Sequence, residues 1–408
     1  MGSAGLLIAH NLKKLKVGRK QLGIPYTIFE QDAALDSRPR DWSFAIYWAQ
    51  THLGECLPEG VDEKYLSEHA QVDTSPPTAN SFIPIFNAET GGLLKKNPSP
   101  FSIRLQRRKF LRILSKDLDI RYGKRLAEIH TEEGNVRVTF ADGTTEEGKL
   151  LIGCDGAHSR VRNFLFGPEK AALRPLPLFM SAALTTLPRE TALAIREIHP
   201  RNMNSVHPNG CSAWIGTCQV QECSDPDPAK WVFVMVQTWA EDKTKSSSNG
   251  MATENKGDVA RGMKERTKTF AEPLRSFWHS IPDDAQIWHN RLSDWPTEKW
   301  DDRNGTVILA GDAAHPMTFH RGQGLNNVIN DVYTLRRALQ EKYPPSDTST
   351  TSPFAEALKV YEGEVWERGR EAVLSNAENS LMFHDWDKLM QSPVFTVGYR
   401  KIGERCEK

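Results

Sequence analysis

An α/β fold with a mainly β insertion and helices at its C-terminal end is predicted by three stretches of the sequence. In "VILAGDAAHPMTFHRGQGLNNVINDVYTLRRAL" (residues 307–339), a strand-sized apolar run ends at Gly311-Asp312, and a second glycine cluster then opens a long helical pattern. At the start, Gly2 and Gly5 precede a helical pattern, and the β-rich run "YTIFE" (residues 26–30) closes on an acid. From about Pro168 to Trp300, short alternating runs such as "WVFVMVQTW" mark half-buried strands.

The 408 residues suffice for two to three domains' worth of chain. Hydrophobic residues make up 39% and charged residues 25%, an ordinary globular composition. The 52 basic residues balance 52 acidic ones. That balance argues against a nucleic-acid or acidic-lipid partner, which would favour a basic excess. No apolar run approaches the ~20 residues that span a bilayer. No basic region, apolar core and cleavage site mark a secretory signal, so a cytoplasmic location is expected. Cys56, Cys154, Cys211, Cys218, Cys223 and Cys406 lack CxxC or paired-histidine spacing, and reduced thiols are expected rather than a zinc site.

In the first helical pattern, Leu6, Leu7, Ala9, Leu12 and Leu15 form an apolar stripe and the lysines its solvated side. Gly23-Ile24-Pro25 ends it. In "RRKFLRILSKDL" (residues 107–118), Phe110, Leu111 and Leu114 restore a helical period. "VRVTFADGTTEEGKLLIGCDG" (residues 136–156) reads as two strands around an Asp142-Gly143 turn. A polar loop at 242–258 interrupts the β-rich interval, and "PPSDTSTTSP" (344–353) is a breaker-rich link to an amphipathic helix. There are no internal repeats.

Gly2 and Gly5 match the second half of a GxGxxG dinucleotide fingerprint. Its glycines let backbone approach a pyrophosphate and let helix pack on strand, and the helix N-terminus favours negative charge. Glu30 would accept hydrogen bonds from ribose hydroxyls. Asp155 and Asp312 follow strands and can likewise accept from hydroxyls. The Gly322-Gln323-Gly324 segment offers amides at a helix start, suited to negative charge. His315 and His320 are read as shaping the loop rather than as acid–base groups.

"DGAHSRVR" (residues 155–162) fits the pattern DGxxSxVR at every fixed position, and "LAGDAAHPMTFHRGQGLNNVINDV" fits a GD motif along its length. With the glycine half-motif, in this order, the chain resembles the class A FAD-dependent monooxygenases, the flavoprotein aromatic hydroxylases, and most of all fungal members associated with secondary metabolism. The resemblance implies a Rossmann-like FAD-binding domain in three parts (1–80, 103–168 and 301–345), a substrate-domain excursion at 81–102, a β-rich substrate domain at 169–300, and a helical segment at 353–408.

It further implies FAD contacts from Gly2, Gly5, Glu30, Arg107, Asp155, Asp312, Pro316, Gly322, Gly324, Leu325 and Asn326. Arg40, in "DSRPRDWSF" with Arg38 and Trp42, falls where relatives place a mobile segment over the flavin. The implied reaction uses NAD(P)H, as transient co-substrate, and O2 to hydroxylate an aromatic or polyketide-like molecule through a flavin C4a-hydroperoxide. A flavin epoxidase, dehydrogenase or halogenase of the same fold is an alternative, although no lysine can be assigned to halogenation; a non-catalytic remnant is another. Trp214, Phe233 and Trp239 are expected in the β domain's core.

The sequence departs from the family in two places. The first strand of the full fingerprint is absent, which should leave two neighbouring parallel strands with unpaired edges. "LKVGRKQ" lengthens the link between the first helix and the strand that follows. A late start codon and a mis-spliced junction, or a shortened paralogue, would account for both.

Overall fold

The computed structural model describes residues 2–17, 20–21, 23–38, 41–132, 134–220, 227–241, 256–343 and 352–400. Arg40, Cys223, Cys406 and most of the 242–258 and 344–353 stretches lie outside the described residues.

The first helix, Ser3–Lys13, is buried along most of its length, not on one stripe: Ala4, Leu6, Leu7, Ile8, Ala9, His10 and Asn11 are all covered. Its lysines are not simply solvated. Lys14 Nζ donates to the carbonyls of Glu55 and Leu57, at 2.9 and 2.5 Å, and burial lowers its pKa. The long link beyond the helix contains a short antiparallel pair, Lys16–Val17 with Lys20–Gln21.

The parallel strands fall into two separate pairs. Ile28–Glu30 runs beside Ile120–Tyr122, and Leu151–Gly153 beside Val307–Leu309. Burial is uneven: Val307–Leu309 is wholly buried, whereas Ile28–Glu30 and Leu151–Ile152 are half-buried. The two strands expected around the Asp142-Gly143 turn are Asn135–Phe140 and Thr145–Gly148, and an earlier strand, Leu126–Glu132, joins them. Leu126–Glu132, Asn135–Phe140 and Thr145–Gly148 form their own antiparallel sheet, and Leu151–Gly153 leaves it for the parallel pair. Lys149 and Leu150 make that switch.

The larger sheet has seven strands, ordered Gln286–Asp294, Arg174–Thr186, Val232–Ala240, Cys211–Gln219, Asn202–Val206, Phe82–Asn87 and Leu93–Pro98. Residues 82–98 therefore leave the first part of the chain to complete the sheet of the β-rich interval. Alternation divides its faces. Phe233, Met235, Ala213 and Ile215 pack with the helices Lys256–Arg266 and Leu274–His279 in one core. Ala182, Val234, Val236 and Cys218, with Trp214 and Trp288, form a separate cluster. Phe233 is thus core, as expected; Trp214 is on the opposite face.

The helices Gly324–Lys342 and Ala355–Phe383 pack on the parallel pairs and the first helix in the largest core. The chain then folds back, and Phe383, Val394, Phe395 and Tyr399 cover Ile83, Ile85 and Val206 of the seven-stranded sheet. The C-terminal segment therefore joins both halves of the molecule.

Glu362, in the Ala355–Phe383 helix, is only 3% exposed and its Oε1 accepts the indole N–H of Trp300 at 2.7 Å. Burial, reinforced by Asp302, pushes its pKa from 4.5 up to about 8. An acid raised in the folded state loses stability as pH climbs from its unfolded to its folded pKa. Glu362→Gln keeps the acceptor and removes that cost. At pH 7 it should stabilise the protein by on the order of 3 kcal/mol. Denaturant midpoints at pH 5 and pH 8 check this: the gain should grow with pH, and a pH-independent difference would show that Glu362 is ionised in the fold.

Candidate active site

Three chain segments meet at the C-terminal ends of the Leu151–Gly153 and Val307–Leu309 strands. A Cβ on Gly5 would lie 3.6 Å from Cys154 Cβ, and one on Gly311 3.1 Å from Ala4 Cβ. The N-terminus of the first helix, capped by Gly2, therefore sits beside both strand ends. Gly311 has φ +62°, a conformation that side chains other than glycine's adopt at a cost, and the close approach of Ala4 also favours the missing Cβ.

Asp312 points outward from this junction. Solvent reaches the side chain, yet protein encloses it closely enough that burial, with Asp331 adding and His315 opposing, raises its pKa above 3.8. Its carboxylate is thus exposed beside the start of the first helix. Among the described residues, nothing donates a hydrogen bond to it. Asp155 behaves differently: its Oδ2 accepts from the backbone N–H groups of Arg160 and Val161, at 2.6 and 3.2 Å. It braces the start of the Arg160–Ala171 helix together with Ser159, whose hydroxyl accepts from Arg162 N–H at 2.9 Å.

Arg162, the last residue of that motif, is 1% exposed and ties it to the GD loop. Its guanidinium donates to the carbonyls of Ala171 (3.0 Å), Ala313 (2.9 Å) and Ala157. Behind the loop lies an ionic cluster that the sequence did not reveal. Asp331 is fully buried and accepts from Gly311 N–H (2.7 Å), His315 Nε2 (2.8 Å) and Arg368 (2.5 Å). Arg368 also donates to Asn327 and Glu364, each at 2.6 Å. His315 is therefore a loop brace.

The second glycine segment is held from the side. Gly322 has φ +59°, and a Cβ there would come within 3.0 Å of the Tyr47 ring. Gly324 is the first residue of the Gly324–Lys342 helix, so the amides of Gly324, Leu325 and Asn326 precede the first intrahelical bond, made by Asn327 N–H to Gln323 at 3.0 Å. The Asn326 side chain is already engaged: Oδ1 accepts from Tyr47 N–H (2.8 Å), and Nδ2 donates to Ala45 (3.2 Å) and Gly322 (3.0 Å). The side chain is therefore committed to the protein. Pro316 is buried, and its carbonyl accepts from Trp295 N–H at 3.1 Å.

Glu30 ends its strand half-buried, with Oε1 accepting from Asp32 N–H at 2.8 Å. Arg107 opens the Arg107–Ser115 helix with its guanidinium 5.3 Å from the Trp42 ring. Arg38 pairs with Asp32 at 2.7 Å. Glu30, Asp32, Arg38, Trp42 and Arg107 thus lie together.

His320 joins the loop to the β-rich half. Its Nε2 lies 3.0 Å from Thr238 Oγ1 and its Nδ1 2.8 Å from Ser380 Oγ, while His384 Nε2 lies 2.7 Å from the same threonine. Burial lowers both imidazoles, His384 to about 4, so both are neutral at pH 7.

Known proteins share this architecture. Residues 106–349 match the family model described as "FAD binding domain". The chain is 44% identical over 404 residues to the FAD-dependent monooxygenase cctM of Talaromyces islandicus, spanning 98% of this chain and 95% of that one. It is 33% identical to the FAD-dependent monooxygenase phnB of Penicillium herquei, covering 98% and 93%. The chain belongs to the FAD-dependent monooxygenases.

Its fold matches that of Klebsiella pneumoniae HpxO, solved with FAD and uric acid (TM-score 0.70, 18% identity, 98% and 90% of the two chains covered). It also matches FqzB, with TM-score 0.72 at 17% identity, covering 99% and 88%. These likenesses concern the fold alone. The enzyme's outward-facing Asp312, the positive-φ glycines and two helix starts suit a dinucleotide with hydroxyl donors and anionic phosphates. No helix among the described residues is long and apolar enough to cross a membrane.

Proposed function

We propose that this monooxygenase uses NAD(P)H and O2 to hydroxylate an aromatic or polyketide-like small molecule held between the GD loop and the seven-stranded sheet. The observation that supports it most directly is Asp312, an exposed carboxylate beside the first helix start that accepts no hydrogen bond among the described residues. Asp312 would accept from the ribityl hydroxyls and Glu30 from the adenosine ribose. Gly2 and Gly5 would admit the pyrophosphate. The amides of Gly324, Leu325 and Asn326 would face the pyrimidine end of the flavin, beside Gly322 and Pro316. Arg107 would lie along the cofactor, and Arg40 completes the proposed set from outside the described residues. Asp155 would act as a positioning residue.

Bound FAD supplies the redox chemistry, accepting reducing equivalents and activating oxygen. The chain's own residues do the rest. The helix start stabilises negative charge at the flavin's pyrimidine end. The neutral pair His320 and His384 keeps a hydrogen-bonded wall without adding a charge, and the apolar sheet face excludes water from the reacting atoms. The proposed setting is the cytoplasm.

The test is reconstitution with FAD followed by NADPH and NADH oxidation in 18O2 with phenolic and polyketide-like aromatics. A flavin-to-protein ratio near one and a single labelled oxygen in the product are expected. Substrate oxidation without label would establish a dehydrogenase instead, and a folded chain that takes up no FAD would overturn the reading.

A further inference from the structure

The GD loop carries a thioether that the proposed site does not use. Ala313, Ala314, His315 and Pro316 are buried and Thr318 is 2% exposed, but Met317 between them is half-buried. Its Sδ, a weak acceptor, takes a hydrogen bond from Asn376 Nδ2 of the Ala355–Phe383 helix at 3.5 Å. Thr318 Oγ1 donates to the Asn376 carbonyl at 2.9 Å. Both residues that follow Pro316 are thus tied to one asparagine.

That asparagine is buried and only partly satisfied. Nδ2 also donates to Ala372 O at 2.7 Å, while Oδ1 has no partner among the described residues. With Arg321, Gln323 and Ser375, Asn376 lines a cavity of about 20 Å³. This is room for about one oxygen-sized atom beside the amide.

The other methionines among the described residues differ. Met203, Met235 and Met263 are at most 2% exposed. Met180 is half-buried on the sheet face turned toward the loop, where its register partner Thr238 bonds His320. Among the described residues no hydrogen-bond donor meets its sulfur, and its neighbours Ala182, Val234 and Val236 are apolar. Met390, in the C-terminal segment, is 59% exposed.

A reduced flavin can pass two electrons and two protons to O2, and hydrogen peroxide is the product. A thioether lone pair attacks one peroxide oxygen: the S–O bond forms and the O–O bond breaks. Sulfur is oxidised by two electrons, and the peroxide is reduced to water. The sulfoxide is polar, and in an apolar setting it disrupts packing. At Met317 it would instead find Asn376 Nδ2 already aimed at the sulfur, with space beside it.

We propose that Met317 is a sacrificial oxidation site: hydrogen peroxide leaving the flavin converts its thioether to the sulfoxide, which Asn376 holds in place. This rests on the proposed seat of the flavin beside Pro316 and adds a modification site to it.

The test begins with FAD-loaded protein reduced by a stoichiometric amount of dithionite under argon. It is reoxidised in air with excess catalase, cycled, and mapped by peptide mass spectrometry. Catalase destroys peroxide that reaches the bulk, so Met317 sulfoxide should accumulate while Met390 stays reduced and the flavin stays bound. With reagent hydrogen peroxide and no catalase the order should invert, because Met390 is the more exposed thioether. In Met317→Leu the cycles should move the sulfoxide to Met180. Met317 that stays reduced through the cycles, or that oxidises only as far as Met390, overturns the proposal. So does a wild type that sheds its flavin as Met317 sulfoxide accumulates, or a Met317→Leu variant in which no other residue is oxidised. If that variant holds no flavin, the wild-type arms decide alone. The cycles need neither NAD(P)H nor substrate, so a failure to hydroxylate would sink the proposed reaction and leave this result standing. Hydroxylation by a chain whose Met317 stays intact would do the reverse. A chain that takes up no FAD overturns both, and flavin absorbance identifies that case.

Discussion

Asp312→Ala is expected to leave a folded protein whose affinity for FAD falls by about 10- to 100-fold, the worth of one or two charge-assisted hydrogen bonds. The Asp312 side chain makes no hydrogen bond within the described chain, so its removal deprives no buried donor of a partner. It lies beside the first helix start, where cofactor hydroxyls would approach, and desolvation raises its pKa above 3.8. Asp312→Asn, which keeps one acceptor oxygen, should fall between wild type and alanine. Flavin absorbance per folded chain after gel filtration, with circular dichroism as the folding control, reads the result. An alanine variant that holds FAD as tightly as wild type would remove Asp312 from the site.

Asp331→Ala is expected to cost about 3–5 kcal/mol of stability, the usual penalty for breaking a buried ion pair from one side. It would strip Gly311 N–H, His315 and Arg368 of a shared partner at 0% exposure. Burial alone would raise the Asp331 pKa, but His315 and Arg368 overcome this and hold it below 3.8. For an acid depressed in the fold, the stabilisation is present above the unfolded pKa and lost as pH falls through the folded one. The wild-type advantage over Asp331→Ala should therefore persist above about pH 4 and shrink below it. Chemical denaturation between pH 3 and pH 7 measures both. A loss under about 1 kcal/mol at pH 7 would mean the cluster is open to water in solution.

The contrast between these two aspartates shows where sequence reading stops. Both occur in one apolar-to-helical stretch, and either could be read as a ligand contact or as a brace. Asp312 follows a strand directly, and strand ends at such junctions face the cleft, so its position alone marked it. Asp331 lies in the middle of the Gly324–Lys342 helix, and its partner Arg368 is 37 residues on, in another helix. No local period links them. The same holds for Arg162 and Ala313, which meet across 151 residues. Asn326 is subtler: its place at the helix start was legible, but its side chain is claimed by the backbone at Ala45 and Tyr47.

The sequence by itself determined the α/β class, the order of the elements, the glycines needed at Gly311 and Gly322, and the family. Those features depend on side-chain period, backbone freedom and motif spacing, all of which are local. Only the tertiary structure decided that the parallel strands stand as two separate pairs. It also decided that the C-terminal segment clasps both halves, and that Asp331 and Arg368 meet behind the GD loop. Those features arise from contacts between distant segments, where burial sets the cost of each charge and geometry alone decides which partner meets it.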